Sequence, residues 1–118
     1  MRKIFLACPY SHADAQIVEQ RFAACNQVAA AIVKAGHAVY SQVSMSHPIN
    51  RCLPELDRAA IGKMWGPVDT FFMEALEELI VLDLEGWDQS AGIRREIEFF
   101  EARGLPVNLW SQVKHEFN

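Results

Sequence analysis

The sequence predicts an α/β domain built on a parallel sheet. Two short, wholly apolar runs, Ile4–Cys8 and Leu79–Leu82, have the length and content of strands buried on both faces. Between and after them lie longer segments with helical spacing of apolar residues. Gly36 and Gly104 then stand where helices would stop and strands begin. Strand and helix alternating in this way imply right-handed crossovers and one sheet covered on both sides. The expected architecture is therefore a single-domain three-layer sandwich, flavodoxin- or Rossmann-like, with about four or five parallel strands. A chain of 118 residues, 51% of them hydrophobic, is enough for one core.

The first strand is expected over Ile4–Cys8 and ends at Pro9, which has no N–H for a ladder. Asp14 is the expected cap of a helix running to Gly36, with Ile17, Phe22, Cys25, Val28, Ile32 and Val33 on its apolar face. His37–Tyr40 follows as the second strand. The polar stretch from Ser41 to Pro54 reads as a long irregular loop after a strand, a place where function often sits. A short helix over Glu55–Ile61 is expected next, broken by Gly62 and Gly66-Pro67, and then a helix from Val68 to Glu77. Leu79–Asp83 is the third strand. Gly92 lies in the first turn of a helix to Arg103, Pro106–Trp110 is the fourth strand, and Ser111–Asn118 suggests a short terminal helix. The predicted strand order is 2-1-3-4. It puts the first and third strands side by side, where ligands bind beyond the carboxyl ends of an open sheet. Tyr10, Asp83, Asp88, Ser90 and Glu96 would then converge on one crevice.

The formal net charge of -4 gives no broad electrostatic footprint for polymeric nucleic acid. A small polar or anionic ligand is compatible with it, since helix N-termini bind anions within an acidic protein. The odd number of cysteines (Cys8, Cys25 and Cys52) without CxxC spacing suggests reduced thiols, with Cys8 more readily a small buried hydrophobe than a nucleophile. The apolar run before Pro9 is too short for a signal peptide, and no run reaches the length of a membrane span. A cytoplasmic protein without membrane partners is expected. The histidines at 12, 37, 47 and 115 show no metal-ligand spacing, so no metal is expected. Cys8-Pro9-Tyr10-Ser11 fits neither a P-loop nor the dinucleotide fingerprint.

Among candidate chemical groups, Glu96 stands out. With about 100° per residue, Ile93, Ile97 and Phe100 form a buried stripe and Glu96 lies about 60° from it. A rigid, shielded carboxylate there is suited to nucleophilic or base catalysis; the plain alternative is a solvated helical Glu paired with a basic residue. Ser90 is a natural N-cap, and Asp88 a loop or dipole residue that could also touch a sugar. Asp69 reads as a helix-start carboxylate, while Asp83 sits at a strand end beside the switch point. Tyr10 and Ser11 follow the first strand, and His47 and Arg51 in the long loop could meet a phosphate.

Taken together these residues resemble the nucleoside 2-deoxyribosyltransferase-like superfamily, and within it a small bacterial family of unassigned function. The resemblance spans roughly Lys3 to Leu109. Its opening motif, strand-Ala-Gly-Pro-Tyr, corresponds to Leu6-Ala7-Cys8-Pro9-Tyr10; its second, Asp-x-Gly-Thr-x-x-Glu, corresponds to Asp88 through Gly92-Ile93-Arg94-Arg95-Glu96. The strand Gly104-Leu105-Pro106-Val107 also matches. The resemblance implies an N-glycoside-cleaving enzyme, hydrolase or deoxyribosyltransferase, acting on a nucleoside or nucleoside 5′-monophosphate. Glu96 would attack the anomeric carbon, with Asp88, Asp69 and Tyr10 as the other catalytic groups. Cys8, Pro9, Ser11, His47, Asp83, Ser90 and Gly92 would surround the substrate. The chemistry follows retaining-glycosidase logic and calls for no cofactor. It also implies a homodimer or higher oligomer. Cys8 replaces the motif glycine, Ile93 replaces the threonine, and Arg94 and Arg95 add charge. Those departures leave open an alternative, a non-catalytic nucleotide-binding module with a degenerate site. A third reading is a partner-binding scaffold displaying Trp65, Phe71, Phe72 and Trp87.

Overall fold

The computed structural model describes residues 1–118. Four strands, β1 (Lys3–Ala7), β2 (Ala38–Ser41), β3 (Glu78–Val81) and β4 (Val107–Leu109), form one all-parallel sheet in the order β2-β1-β3-β4. The helices are α1 (Ala15–Lys34), α2 (Gln42–Asn50), α3 (Arg58–Ala75), α4 (Ala91–Ala102) and α5 (Trp110–Val113), with 3₁₀ turns at Trp87–Gln89 and Lys114–Phe117. The expected sandwich and strand order are both present.

The period-two alternation of β1 divides the core. Ile4, Leu6 and Cys8 pack on one face with Cys25, Val28 and Ile32 of α1, Val43 of α2, and Val113 and Phe117 of the C-terminal segment. Phe5 and Ala7 pack on the other with Met73 of α3 and Ile93 and Phe100 of α4. Full burial of a side chain such as Phe5 or Phe100 is worth about 1.5–3 kcal/mol. Helix starts are capped as their sequences suggest: Asp14 accepts from the Gln16 N–H and Ser90 from the Ile93 N–H. Gly36 and Gly104, with φ of 92° and 68°, supply the left-handed residues after α1 and α4. Arg2 grips Glu78 through two nitrogens at 2.9 and 3.1 Å and reaches Glu116 at 2.8 Å, tying the start of β3 and the C-terminal turn to β1.

Two expectations fail between β2 and β3. The stretch Ser41–Pro54 is not an irregular loop: Gln42–Asn50 is helical despite Pro48. Val43, Ser46 and His47 are buried there, so tertiary packing outweighs weak local propensity. The two helices expected over Glu55–Ile61 and Val68–Glu77 are one, α3, capped by Asp57 through the Ala60 N–H. Gly62, Gly66 and Pro67 lie inside it without ending it. Trp65 and Met73, both buried, anchor it on either side of the proline. Asp69 therefore stands well inside a helix rather than at its start. β3 also stops at Val81, leaving Asp83 beyond the strand. No helix is long and apolar enough to cross a membrane.

Candidate functional site

The β1 and β3 strands pair from Ile4–Glu78 to Ala7–Val81, so both release their chains at the same edge of the sheet. A cleft of about 1380 Å³ opens there. Its walls come from the segments after β1 and β3, from α1, α2 and α3, and from the start of α4.

Arg21 of α1 braces the rim. Its guanidinium donates to the carbonyls of Tyr10 at 3.4 Å, Ser11 at 3.1 Å and Glu85 at 3.0 Å, joining the loops that follow the two central strands. Gly86, with φ of 88°, completes the second loop, and a Cβ there would lie 3.0 Å from Arg21 Nη2.

Two carboxyls from different helices share the cleft: Asp69 of α3 and Glu96 of α4. Burial pushes Glu96 up to about 8; the nearby Asp69 charge adds to the effect and Arg95 opposes it. Burial likewise pushes Asp69 up to about 6, against the opposing hydrogen bond from Tyr40 and the charge of Arg95. No basic side chain forms an ion pair with either carboxyl; the ion pairs of the chain involve Glu19, Glu77, Glu78 and Glu116. Glu96 is thus not the surface residue of an ordinary helical salt bridge. Two like-charged groups held in a shielded place lose their protons stepwise, and such pairs concentrate at catalytic centres.

Of the residues expected on sequence grounds, Cys8, Pro9, Tyr10, Ser11, Asp69, Ser90, Gly92 and Glu96 line the cleft. Three do not. Asp83 accepts from the N–H of Ser111 at 3.0 Å and from its hydroxyl, so it fastens α5 to the end of the sheet. Asp88 is exposed on the 3₁₀ turn Trp87–Gln89, which carries its side chain to solvent rather than into the cleft wall. His47 is buried in α2 behind Tyr10, because the expected loop is a helix that packs it against α1. Arg51 also turns away from the cleft and meets Glu19. The Cys8 thiol is drawn to the carbonyls of Pro9 and Arg21, and its titration is pushed up, above all by the neighbouring Cys25, which does not suit a nucleophile.

Sequence reasoning missed Tyr40, whose phenol reaches Asp69, and the polar row Gln42, Ser46 and Asn50, spaced by four on the α2 face that lines the cleft. The Ser46 hydroxyl is buried and has no hydrogen-bond partner. The spacing of four would have exposed this row had the segment been read as a helix. Of the aromatics considered for a scaffold surface, Trp65 lies buried against the cleft and Phe72 stacks on Tyr40 at 4.0 Å; Phe71 alone is largely exposed, at 67%. No His, Cys, Asp or Glu side chains gather in threes as a metal cage.

The profile of a family described as a domain of unknown function, DUF1937, matches residues 2–112. The chain belongs to DUF1937. No curated protein matches it. The matched span runs through β4 and includes every cleft residue named above, so the DUF1937 domain carries the whole candidate site.

Proposed function

We propose that this DUF1937 protein cleaves the N-glycosidic bond of a nucleoside or nucleoside 5′-monophosphate, as a hydrolase or a deoxyribosyltransferase, with Glu96 and Asp69 as its working carboxyls. The observation that carries the reading is the placement of these two groups, shielded and coupled, in a cleft beyond β1 and β3. The motif resemblance at Leu6–Tyr10 and Asp88–Glu96 supplies the substrate class.

Between about pH 6 and 8 the pair holds one proton and one negative charge. That is the stock needed to break an N-glycoside. In the reacting state the proton sits on Asp69 and Glu96 is ionised, the less populated of the pair's two one-proton arrangements, since Glu96 holds a proton to higher pH than Asp69 does. As the bond from C1′ to the base nitrogen breaks, the bonding pair leaves with the base, which takes the proton from Asp69. A Glu96 oxygen closes on C1′ to give a glycosyl ester. Water, or a second base in a transfer, then attacks C1′. Its proton returns to the pair and Glu96 leaves as the carboxylate.

Free base is the product to follow. Purified protein, incubated with pooled nucleosides and their 5′-monophosphates with and without an acceptor base, should release free base or exchange it; Glu96→Ala should do neither. Ligand-dependent thermal stabilisation of both proteins without turnover would instead identify a binding module and overturn the catalytic role of Glu96. An assembly of at least two copies accompanies this reading, supported by Met64 and Phe71, both exposed and two turns apart on α3. A cytoplasmic setting fits the odd count of cysteines.

A further inference from the structure

Behind the cleft wall, a run of side-chain hydrogen bonds connects α1, α2 and α3. Glu19 Oε1 lies 2.8 Å from His47 Nε2, and His47 Nδ1 lies 2.7 Å from the Tyr10 hydroxyl. Asn50 Nδ2 donates to the same hydroxyl at 3.4 Å, while Asn50 Oδ1 accepts from the Trp65 indole at 2.7 Å. His47 is 6% exposed and packs on Phe22, with ring centres 4.7 Å apart. Tyr10, Asn50 and Trp65 line the cleft; His47 and Glu19 do not.

The donors and acceptors in this run have few freedoms. An indole N–H only donates, so it fixes the Asn50 amide with its oxygen toward Trp65 and its nitrogen toward Tyr10. Arg51 and then His47 hold the Glu19 carboxyl below its ordinary range, so it is an acceptor only. A bare imidazole nitrogen 2.8 Å from that carboxylate would set lone pair against charge; the proton therefore sits on Nε2. Arg51 Nη2, 2.9 Å from Nε2, meets it as a second donor to the same carboxylate. Nδ1 is then bare and takes the hydrogen of the Tyr10 phenol.

We propose that Glu19 and His47 are positioning residues which hold the Tyr10 hydroxyl as a donor into the protein, so that Tyr10 offers the cleft an acceptor for a hydroxyl-bearing ligand such as a sugar. Only the long Asn50 contact competes for that acceptor. The opposite tautomer, with Arg51 donating to Nε2 and the proton on Nδ1, would turn the phenol hydrogen outward and select a ligand acceptor instead. The functional side of this inference rests on the glycosidase reading; the tautomer itself does not.

The test has two arms. In ¹⁵N-labelled protein, long-range proton–nitrogen spectra report which ring nitrogen of His47 is protonated, the signals being assigned by their loss in His47→Gln. The wild type should show a protonated Nε2 and a bare Nδ1, and Glu19→Ala, a change at an exposed site, should move the proton to Nδ1. A wild type with protonated Nδ1, or a tautomer unmoved by Glu19→Ala, overturns the relay even if no substrate is found. On a substrate from the base-release screen, Tyr10→Phe and Glu19→Ala should each lower kcat/KM by about tenfold, and the double variant should be no worse than Tyr10→Phe alone. Losses that multiply would overturn the relay while leaving the glycosidase reading intact. Absence of base release by the wild type would overturn that reading, and the spectra would still decide the relay.

Discussion

The Tyr40 hydroxyl donates to Asp69 Oδ1 at 3.3 Å, joining the end of β2 to the interior of α3. This bond opposes the burial that pushes Asp69 up to about 6, because it stabilises the ionised form. Tyr40→Phe removes the hydroxyl but keeps the ring, which stacks on Phe72 at 4.0 Å and tilts against Phe5 at 5.3 Å. The variant should fold with nearly unchanged stability. Asp69 should lose its proton only at higher pH, so the acid side of the activity profile should move upward. Turnover near pH 7 should rise by about 2–10-fold, because the arrangement with the proton on Asp69 and Glu96 ionised becomes more populated. A pH–rate profile of wild type and variant checks both; an unmoved acid limb would mean that Asp69 does not govern it.

The carboxyl pair sets a window for the wild type. Below about 6 both groups are protonated and no carboxylate remains to attack. Above about 8 both are ionised and no acid remains for the leaving base. A plot of kcat/KM against pH should be bell-shaped with limbs near these values. Activity rising steadily from pH 8 to pH 10 would contradict the pair.

Glu96 should cost stability at the pH where it works. Unfolded, its carboxyl titrates at the ordinary 4.5; folded, it keeps its proton to about 8. The native state therefore binds more protons across that interval, and stability falls as pH rises from about 4.5 to about 8. A glutamine cannot titrate and removes the penalty. Glu96→Gln should leave stability almost unchanged at pH 4 and raise it by about 1–3 kcal/mol at pH 9. Chemical denaturation at the two pH values measures the difference, and a variant destabilised equally at both would refute it.

The Arg21 brace should matter to the fold as well as to the rim. Arg21→Ala removes three hydrogen bonds to carbonyls and should cost about 1–3 kcal/mol. Gly86→Ala should cost about 1–2 kcal/mol through its positive φ, plus the push against Arg21. That second part disappears when Arg21 is already absent. The double variant should therefore lose less than the sum of the singles, as read from denaturation midpoints.

Much of the fold was legible because its signals are local. The apolar runs of β1 and β3, the caps Asp14 and Ser90, and the glycines at 36 and 104 each act within a turn or a strand. Right-handed crossovers and short connections left few topologies, and the order 2-1-3-4 chosen among them is the one present. The same local logic placed Glu96 beside the buried stripe Ile93, Ile97 and Phe100, and Tyr10 at the mouth of β1. It misread Gln42–Asn50 and the Gly66-Pro67 junction, where burial of Val43, His47, Trp65 and Met73 holds helices that local propensity disfavours.

The amino-acid order by itself determined the sandwich, its central pair of strands and the carboxylate at position 96, because hydrophobic periodicity and turn chemistry operate over a few residues. Only the tertiary structure decided that Asp69, not Asp83 or Asp88, shares the cleft with Glu96, that Tyr40 steadies Asp69, and that His47 stands behind Tyr10 rather than in the cleft wall. Those relations join residues 27 or more positions apart. They depend on how α2 and α3 pack across the sheet edge, and no short-range pattern encodes that distance.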